Sequence, residues 1–244
     1  MTRRRELLGL VGGTLAAGLL PSAASQAAVP SFVAFGDSYT APNYLKVPGW
    51  ADQLKSNGLA RQIANLAWPG ATTEGLDRRN TFDGQVDMWL GSYRPKGLPD
   101  RTVVYFGNND VRTTRPLAPI KQQYRSQVER LITAGANWGT RRVVLCLLHD
   151  WSRNPEAEFN VRARVQEWNA FVAKLGRDKR NCIVVDLFQL FESVFAQPAN
   201  YGLTNVTTPH YALSSSTYLF ADGLHFGKKG QTLIRNAITG KWAA

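Results

Sequence analysis

Metal chemistry has little to draw on in this chain. Its 244 residues hold only three histidines and two cysteines, and they do not cluster at a metal-ligand spacing. Long apolar runs are also missing. The N-terminal stretch Leu7 to Leu20 has 14 residues diluted by glycine, too short for a hydrocarbon core of about 30 Å. No internal repeat or low-complexity tract follows it, so a solenoid or a disordered linker is not expected. Acidic residues are scarce, 18 against 29 basic, for a formal charge of +11. Basic residues are nevertheless scattered, with short clusters at 112–115, 141–142, 177–180 and 228–229. None makes a basic stripe interleaved with aromatics, so nucleic acid is not expected as a partner. A solvated basic surface, with peripheral contact to anionic surfaces, is the better reading.

The first 27 residues read as an export signal rather than as part of the fold. Arg3, Arg4 and Arg5 lead into the apolar run, and Ser25-Gln26-Ala27 offers small residues where a signal peptidase cuts. The "RRELLG" stretch resembles a twin-arginine signal, and an ordinary secretory signal carrying three arginines is the alternative. Removing three arginines and one glutamate leaves 26 basic against 17 acidic residues, or +9. Residues 28–244 then form a single domain with enough chain for one core. Export would permit a disulfide between Cys146 and Cys182. On neighbouring parallel strands that begin level, however, the two are offset by about three residues, roughly 10 Å. That is beyond bridging distance, and two free buried thiols are expected.

Five short apolar runs read as buried strands: Phe32 to Phe35, Ile63 to Ala67, Val103 to Phe106, Val143 to Leu148 and Ile183 to Val185. They lack strict alternation, which fits burial on both faces of a parallel sheet. Helical patterns lie between them. Pro48 to Leu54 opens on a proline suited to a first helical turn, with Gly58 to stop it. Leu117, Ile120, Tyr124, Val128, Leu131 and Ile132 share a helix face, as do Val161, Val165, Trp168, Val172 and Leu175. Leu187 to Phe195 and Lys229 to Trp242 complete the set. Strands alternating with helices predict a three-layer α/β/α sandwich around a five-stranded parallel sheet.

In such folds the site lies at the carboxyl ends of the strands. There the chain turns polar repeatedly: Gly36-Asp37-Ser38 after the first run, "NLAWPGATT" at the second, "YFGNND" at the third and "LLHD" at the fourth. Each fragment alone is an ordinary turn; Gly-Asp-Ser occurs by chance in roughly one chain in twenty of this length. Taken together and in order they carry more. Gly36-Asp37-Ser38-Tyr39, Gly70, Gly107-Asn108-Asn109-Asp110 and Asp222-Gly223-Leu224-His225 resemble the four blocks of the GDSL, or SGNH, hydrolases. The stretch 184–209 further resembles the secreted lecithinase/haemolysin-type esterases and phospholipases.

The resemblance implies an SGNH-hydrolase, flavodoxin-like fold and a cofactor-free serine esterase. Ser38 would be the nucleophile, His225 its base and Asp222 the group that orients the imidazole. Backbone N–H groups of Ser38 and Gly70, with the Asn109 amide, would hold the oxyanion. Gly70 would suit that post by letting backbone approach substrate closely. Asp37 and Asp110 read as braces for their loops. His149, beside Asp150, competes as a base, though a structural or substrate-lining role is the better reading. His210 has no nearby acid. Tyr39, Tyr44, Trp68 and Trp151 line an acyl or sugar pocket, or belong to the core.

Three positions depart from the family pattern: Tyr39 for a usual leucine, Phe226 where proline often follows the histidine, and Ala221 for a tryptophan common in the lecithinase-like branch. The implied substrates are acyl esters of phospholipids or lipids, or acetyl esters of carbohydrates. An acyltransferase, or a binding protein that has lost catalysis, uses the same scaffold.

Overall fold

In a computed structural model the described residues are 29–44, 46–75, 80–211 and 216–242. The expected export signal, residues 1–27, lies outside them. Five strands form: β1 Ser31–Gly36, β2 Arg61–Asn65, β3 Arg101–Tyr105, β4 Arg142–Cys146 and β5 Cys182–Val185. They pair in the order β2-β1-β3-β4-β5, parallel throughout. Each expected strand is present, but three stop before the apolar runs do. Leu66, Ala67, Phe106, Leu147 and Leu148 are buried beyond the last strand residue. Apolar character reports burial, and burial continues into the loops at the carboxyl edge. At the opposite edge β2, β3 and β4 all begin on arginine, which carries no apolar signal.

Seven α-helices are described: α1 Trp50–Ser56, α2 Phe82–Met88, α3 Asn108–Val111, α4 Leu117–Thr133, α5 Arg162–Asp178, α6 Leu187–Ala196 and α7 Lys228–Gly240. The expected faces of α4 and α5 are the buried ones, including Tyr124, Val128, Trp168 and Val172. Pro48 is not the first residue of α1. The cap is Gly49, whose N–H donates to Asp52 Oδ2 at 3.2 Å, and the Pro48 carbonyl instead accepts from Gln53 Nε2 at 2.9 Å. The last helix stops at Gly240, and the Trp242 ring packs on Phe32 at 6.3 Å.

Helix α2 was not anticipated. Its apolar signal is short, yet Phe82, Val86 and Trp89 at spacings of four and three are all fully buried. Thr81 Oγ1 caps it by accepting from Gly84 N at 3.1 Å.

Helix α1 packs with α7, while α2, α4 and α5 pack in a row. The sheet is thus covered on both faces, as right-handed crossovers that reverse direction at β1 require. That reversal separates the chain leaving β1 for β2 from the chain arriving at β3. It opens a crevice at the carboxyl ends of β1 and β3. Register pairs Val143 with Cys182 and Cys146 with Val185, so the cysteines are offset by three residues and both are free, Cys146 buried as expected but Cys182 only half-buried. Among the described residues no helix is long and apolar enough to cross a membrane.

Candidate active site

The crevice is walled by three loops, and buried carboxylates pin them. β1 ends at Gly36, where an added Cβ would lie 2.6 Å from both Thr40 Oγ1 and the Tyr105 carbonyl. Only glycine lets the following turn fold this close to β3. Asp37, fully buried, accepts from Tyr39 N at 3.0 Å and from Asn108 Nδ2 at 3.1 Å. Asp110 accepts from the Thr73 N–H and hydroxyl, each at 3.0 Å. Burial raises the carboxyl pKa of Asp37 to about 6 and that of Asp110 to about 7, against these hydrogen bonds. The first ties the turn after β1 to α3, and the second ties α3 to the loop after β2. Both match the bracing expected of them.

Ser38 stands at the top of the turn after β1. Its Oγ lies 2.9 Å from His225 Nε2. His225 Nδ1 lies 3.0 and 3.1 Å from the two oxygens of Asp222. An ionised carboxylate only accepts, so Nδ1 carries the proton and Nε2 is left to accept from the serine. Asp222 Oδ1 also accepts from the backbone N–H groups of Leu224 at 2.8 Å and His225 at 2.6 Å. Burial disfavours its charge, but the bonds from the His225 ring and these N–H groups outweigh burial and hold the carboxyl below its ordinary pKa. The Asp-x-x-His spacing makes this pair local, while the fold brings in Ser38 from 187 residues away.

The remaining expected donors face the same crevice walls. Asn109 Nδ2 donates to the Ala71 carbonyl at 2.9 Å, and its second hydrogen meets no acceptor among the described residues. The N–H groups of Ser38 and Gly70 donate to no protein acceptor among the described residues. Gly70 holds φ +76, and an added Cβ there would meet nothing within 4 Å. Its glycine is therefore demanded by a left-handed backbone and not by close packing.

His149 is fully buried, and burial lowers its pKa to about 4, so it is neutral. Its Nδ1 lies 3.1 Å from the Tyr105 hydroxyl and its Nε2 3.2 Å from Asn154 Oδ1. It is a structural residue of a network no local motif announced. Asn154 Nδ2 donates to the Tyr39 hydroxyl at 2.8 Å and to the Leu224 carbonyl at 2.7 Å, and the Tyr39 hydroxyl also donates to the Leu224 carbonyl. The tyrosine after Ser38 thus reaches the residue before His225, and its ring lies 5.3 Å from the His225 ring. His210 sits apart, against the Tyr218 ring at 4.7 Å.

The four aromatics divide. Tyr39 and Trp151 are core, whereas Tyr44 and Trp68 are each 45% exposed. Tyr44 meets the His225 ring edge-on at 5.1 Å. Trp68 lines an apolar cavity of about 610 Å³ with Ala41, Pro42, Leu66, Met88 and Tyr93. The cavity opens on the β2 side, between the turn bearing Ser38 and the loop bearing Gly70. Among the described residues no group of three or more His, Cys, Asp or Glu side chains is placed to hold a metal ion.

Solved structures share this fold. The acetyl xylan esterase AlAXEase superposes with a TM-score of 0.59 at 17% identity, over 86% of this chain and 98% of that one. A variant of the acetyl xylan esterase Axe2 from Geobacillus stearothermophilus gives 0.56 at 15%, over 87% and 94%. The C-terminal catalytic domain of peptidoglycan O-acetyltransferase A from Streptococcus pneumoniae gives 0.52 at 16%, over 88% and 93%. No curated protein matches the chain. The model of the GDSL-like Lipase/Acylhydrolase family matches residues 34–233, which include every residue of the crevice described above. With that match, over a sheet and crevice of this construction, the chain belongs to the GDSL-like lipase/acylhydrolase family.

Proposed function

We propose that this protein is an exported serine hydrolase that cleaves carboxylic esters through an acyl-enzyme. The observation that carries the reading is the unbroken hydrogen-bonded series Ser38 Oγ, His225 Nε2, His225 Nδ1, Asp222. Ser38 Oγ attacks the ester carbonyl as His225 Nε2 takes its proton. The same nitrogen then protonates the departing alcohol, leaving the acyl group on Ser38. Water enters, gives its proton to His225 and attacks the acyl carbonyl, and the proton returns to Ser38 as the acid leaves. Asp222 keeps the imidazole in the required tautomer and stabilises the imidazolium. The N–H groups of Ser38 and Gly70 and the spare Asn109 hydrogen are the donors for the oxyanion. None of these steps calls for a cofactor.

The alcohol that water replaces could itself be the acceptor, which would make the same site an acyltransferase. A binding protein without catalysis is disfavoured, since each reacting group is retained and in contact. On substrate, the apolar cavity beside Ala41 and Trp68 supports acyl groups longer than acetyl, as in lipid or phospholipid esters. Acetyl esters of carbohydrate are the second reading, suggested by the fold shared with acetyl xylan esterases.

The test is hydrolysis of p-nitrophenyl esters from acetyl to palmitoyl by residues 28–244, beside Ser38→Ala. Activity should vanish in a folded Ser38→Ala protein, and the rate should peak above the acetyl ester. Equal activity in both proteins would remove Ser38 from the mechanism.

A further inference from the structure

Arg112 is a charged group with no counter-charge. It follows α3 directly, three residues after Asn109, and its guanidinium lies 4.1 Å over the Trp151 ring. Its Nε is buried and has no hydrogen-bond partner. Among the described residues no carboxylate pairs with it. The nearby candidates are engaged elsewhere: Asp110 with Thr73, Asp150 with Arg162 at 2.5 Å, and Glu74 with Arg115 at 2.9 Å. A second cation adds to the imbalance. Arg164 donates to the carbonyls of Val111 at 3.0 Å and Arg115 at 2.8 Å, again without a carboxylate. A guanidinium has five donors in a fixed fork suited to paired oxygens. Stacking on an aromatic face is a weak attraction that satisfies none of them. With its buried Nε unmet by the protein, the fork is free to take a ligand oxygen.

Its place in the fold says where that ligand sits. Trp151 lies past the end of β4, and the sheet order places β3 between β4 and β1. Two strand spacings put it roughly 10 Å to one side of the Ser38 turn. The apolar cavity opens on the other side, against the turn after β1 and the loop that follows β2. An ester centred on Ser38 would send its acyl chain toward the cavity and its alcohol part toward Arg112. We propose that Arg112, held flat by Trp151, binds an anionic oxygen group, a phosphate or a carboxylate, carried on the alcohol part of the substrate.

This rests on the reading of Ser38 as an esterase nucleophile, and the experiment separates the two. Matched soluble esters are compared: 1-butyrylglycerol with 1-butyrylglycerol 3-phosphate, and acetylated methyl glucoside with acetylated methyl glucuronoside. In the wild type, kcat/KM is expected to favour the anionic member of one pair at least tenfold, and which pair responds identifies phosphate or carboxylate. Arg112→Gln should bring that ratio within threefold, with Arg112→Lys between, in proteins whose thermal midpoints show them folded. Calorimetric binding of the same compounds to Ser38→Ala and to Ser38→Ala/Arg112→Gln reads the anion preference without catalysis. A preference lost with Arg112 supports the inference even if no ester is cleaved. Hydrolysis or binding that is blind to the charge in both pairs, or a preference that survives Arg112→Gln, overturns it.

Discussion

Removing the single oxygen of Tyr39 tests how the loop of His225 is held. The hydroxyl accepts from Asn154 Nδ2 at 2.8 Å and donates to the Leu224 carbonyl. In Tyr39→Phe every neighbour keeps a partner. Asn154 Nδ2 retains the Leu224 carbonyl at 2.7 Å, and His149 Nε2 retains Asn154 Oδ1 at 3.2 Å. The loss is then two ordinary hydrogen bonds with no group stranded, roughly 1–2 kcal/mol. Asn154→Ala is a different perturbation. It strips His149 Nε2 of its acceptor, leaving only the Tyr39 hydroxyl at 3.5 Å, and removes the Asn154 donor from both the Leu224 carbonyl and the Tyr39 hydroxyl. It also opens a void among buried groups, so about 3–4 kcal/mol is expected. For a domain near 200 residues each kcal/mol moves the midpoint by about 2–4 °C. Thermal unfolding should therefore fall by roughly 5 °C for Tyr39→Phe and by about 10 °C for Asn154→Ala. Because the clamped carbonyl immediately precedes His225, kcat on p-nitrophenyl butyrate should drop about three- to tenfold with KM little changed. A Tyr39→Phe protein as destabilised as Asn154→Ala would refute this accounting, and unchanged kcat in both would sever the network from the site.

Three further outcomes follow from particular groups. Gly70→Ala adds a methyl into open space but strains a backbone at φ +76, so stability should fall by only about 1–2 kcal/mol. The displaced N–H should lower kcat about 10- to 100-fold, and unchanged turnover would remove Gly70 from the oxyanion site. His149 has its pKa lowered by burial to about 4, whereas the unfolded chain takes up that proton near pH 6.5. The unfolded state binds more protons between these values, so this residue's contribution is intact above about pH 6.5 and is lost as pH falls toward 4. Asp37 and Asp110, raised, act with the opposite sign. The difference between wild type and His149→Gln in urea titrations isolates the effect, and a difference independent of pH would contradict it. Burial pushes the Cys146 thiol well up and that of Cys182 to about 11. Native protein should react slowly with Ellman's reagent, denatured protein should give two thiols, and a reductant should leave the melting midpoint in place.

Much of the architecture is local and therefore legible. The unbroken apolar runs of β1 and β3 to β5, and the periodic faces of α4 and α5, are legible because both depend only on which residues must leave water. The Asp222–His225 pair is likewise local, three residues apart on one turn. The ordered polar blocks, through their resemblance to those of the GDSL hydrolases, were enough to propose Ser38, Gly70 and Asn109, and a parallel sheet gathers the loops that carry them on one edge. Strand limits were less legible, since Leu66, Ala67, Leu147 and Leu148 stay buried past the last strand residue, and Leu66 and Leu147 still donate to Ala34 and Val185 of the neighbouring strands. Nor did the chain's pattern anticipate α2, whose three anchors, Phe82, Val86 and Trp89, are separated by polar residues, one glycine and the exposed Met88.

Tertiary packing alone decided the rest. Asn154 and His149 look like loop residues until the fold sets them against Tyr39 and the Leu224 carbonyl, at sequence separations of 115 and 70 for Asn154. The neutrality of His149 comes from total burial, a property of its surroundings and not of its neighbours in sequence. Tyr39 and Trp151 became core while Tyr44 and Trp68 stayed exposed, although all four are aromatic residues near strand ends. Arg112 differs from the chain's other arginines only in what surrounds it. Short-range order along the chain follows from hydrophobicity and backbone chemistry residue by residue. Hydrogen-bond partnership, exposure and charge balance depend on which distant segments meet, and the sequence determines these only through the completed fold.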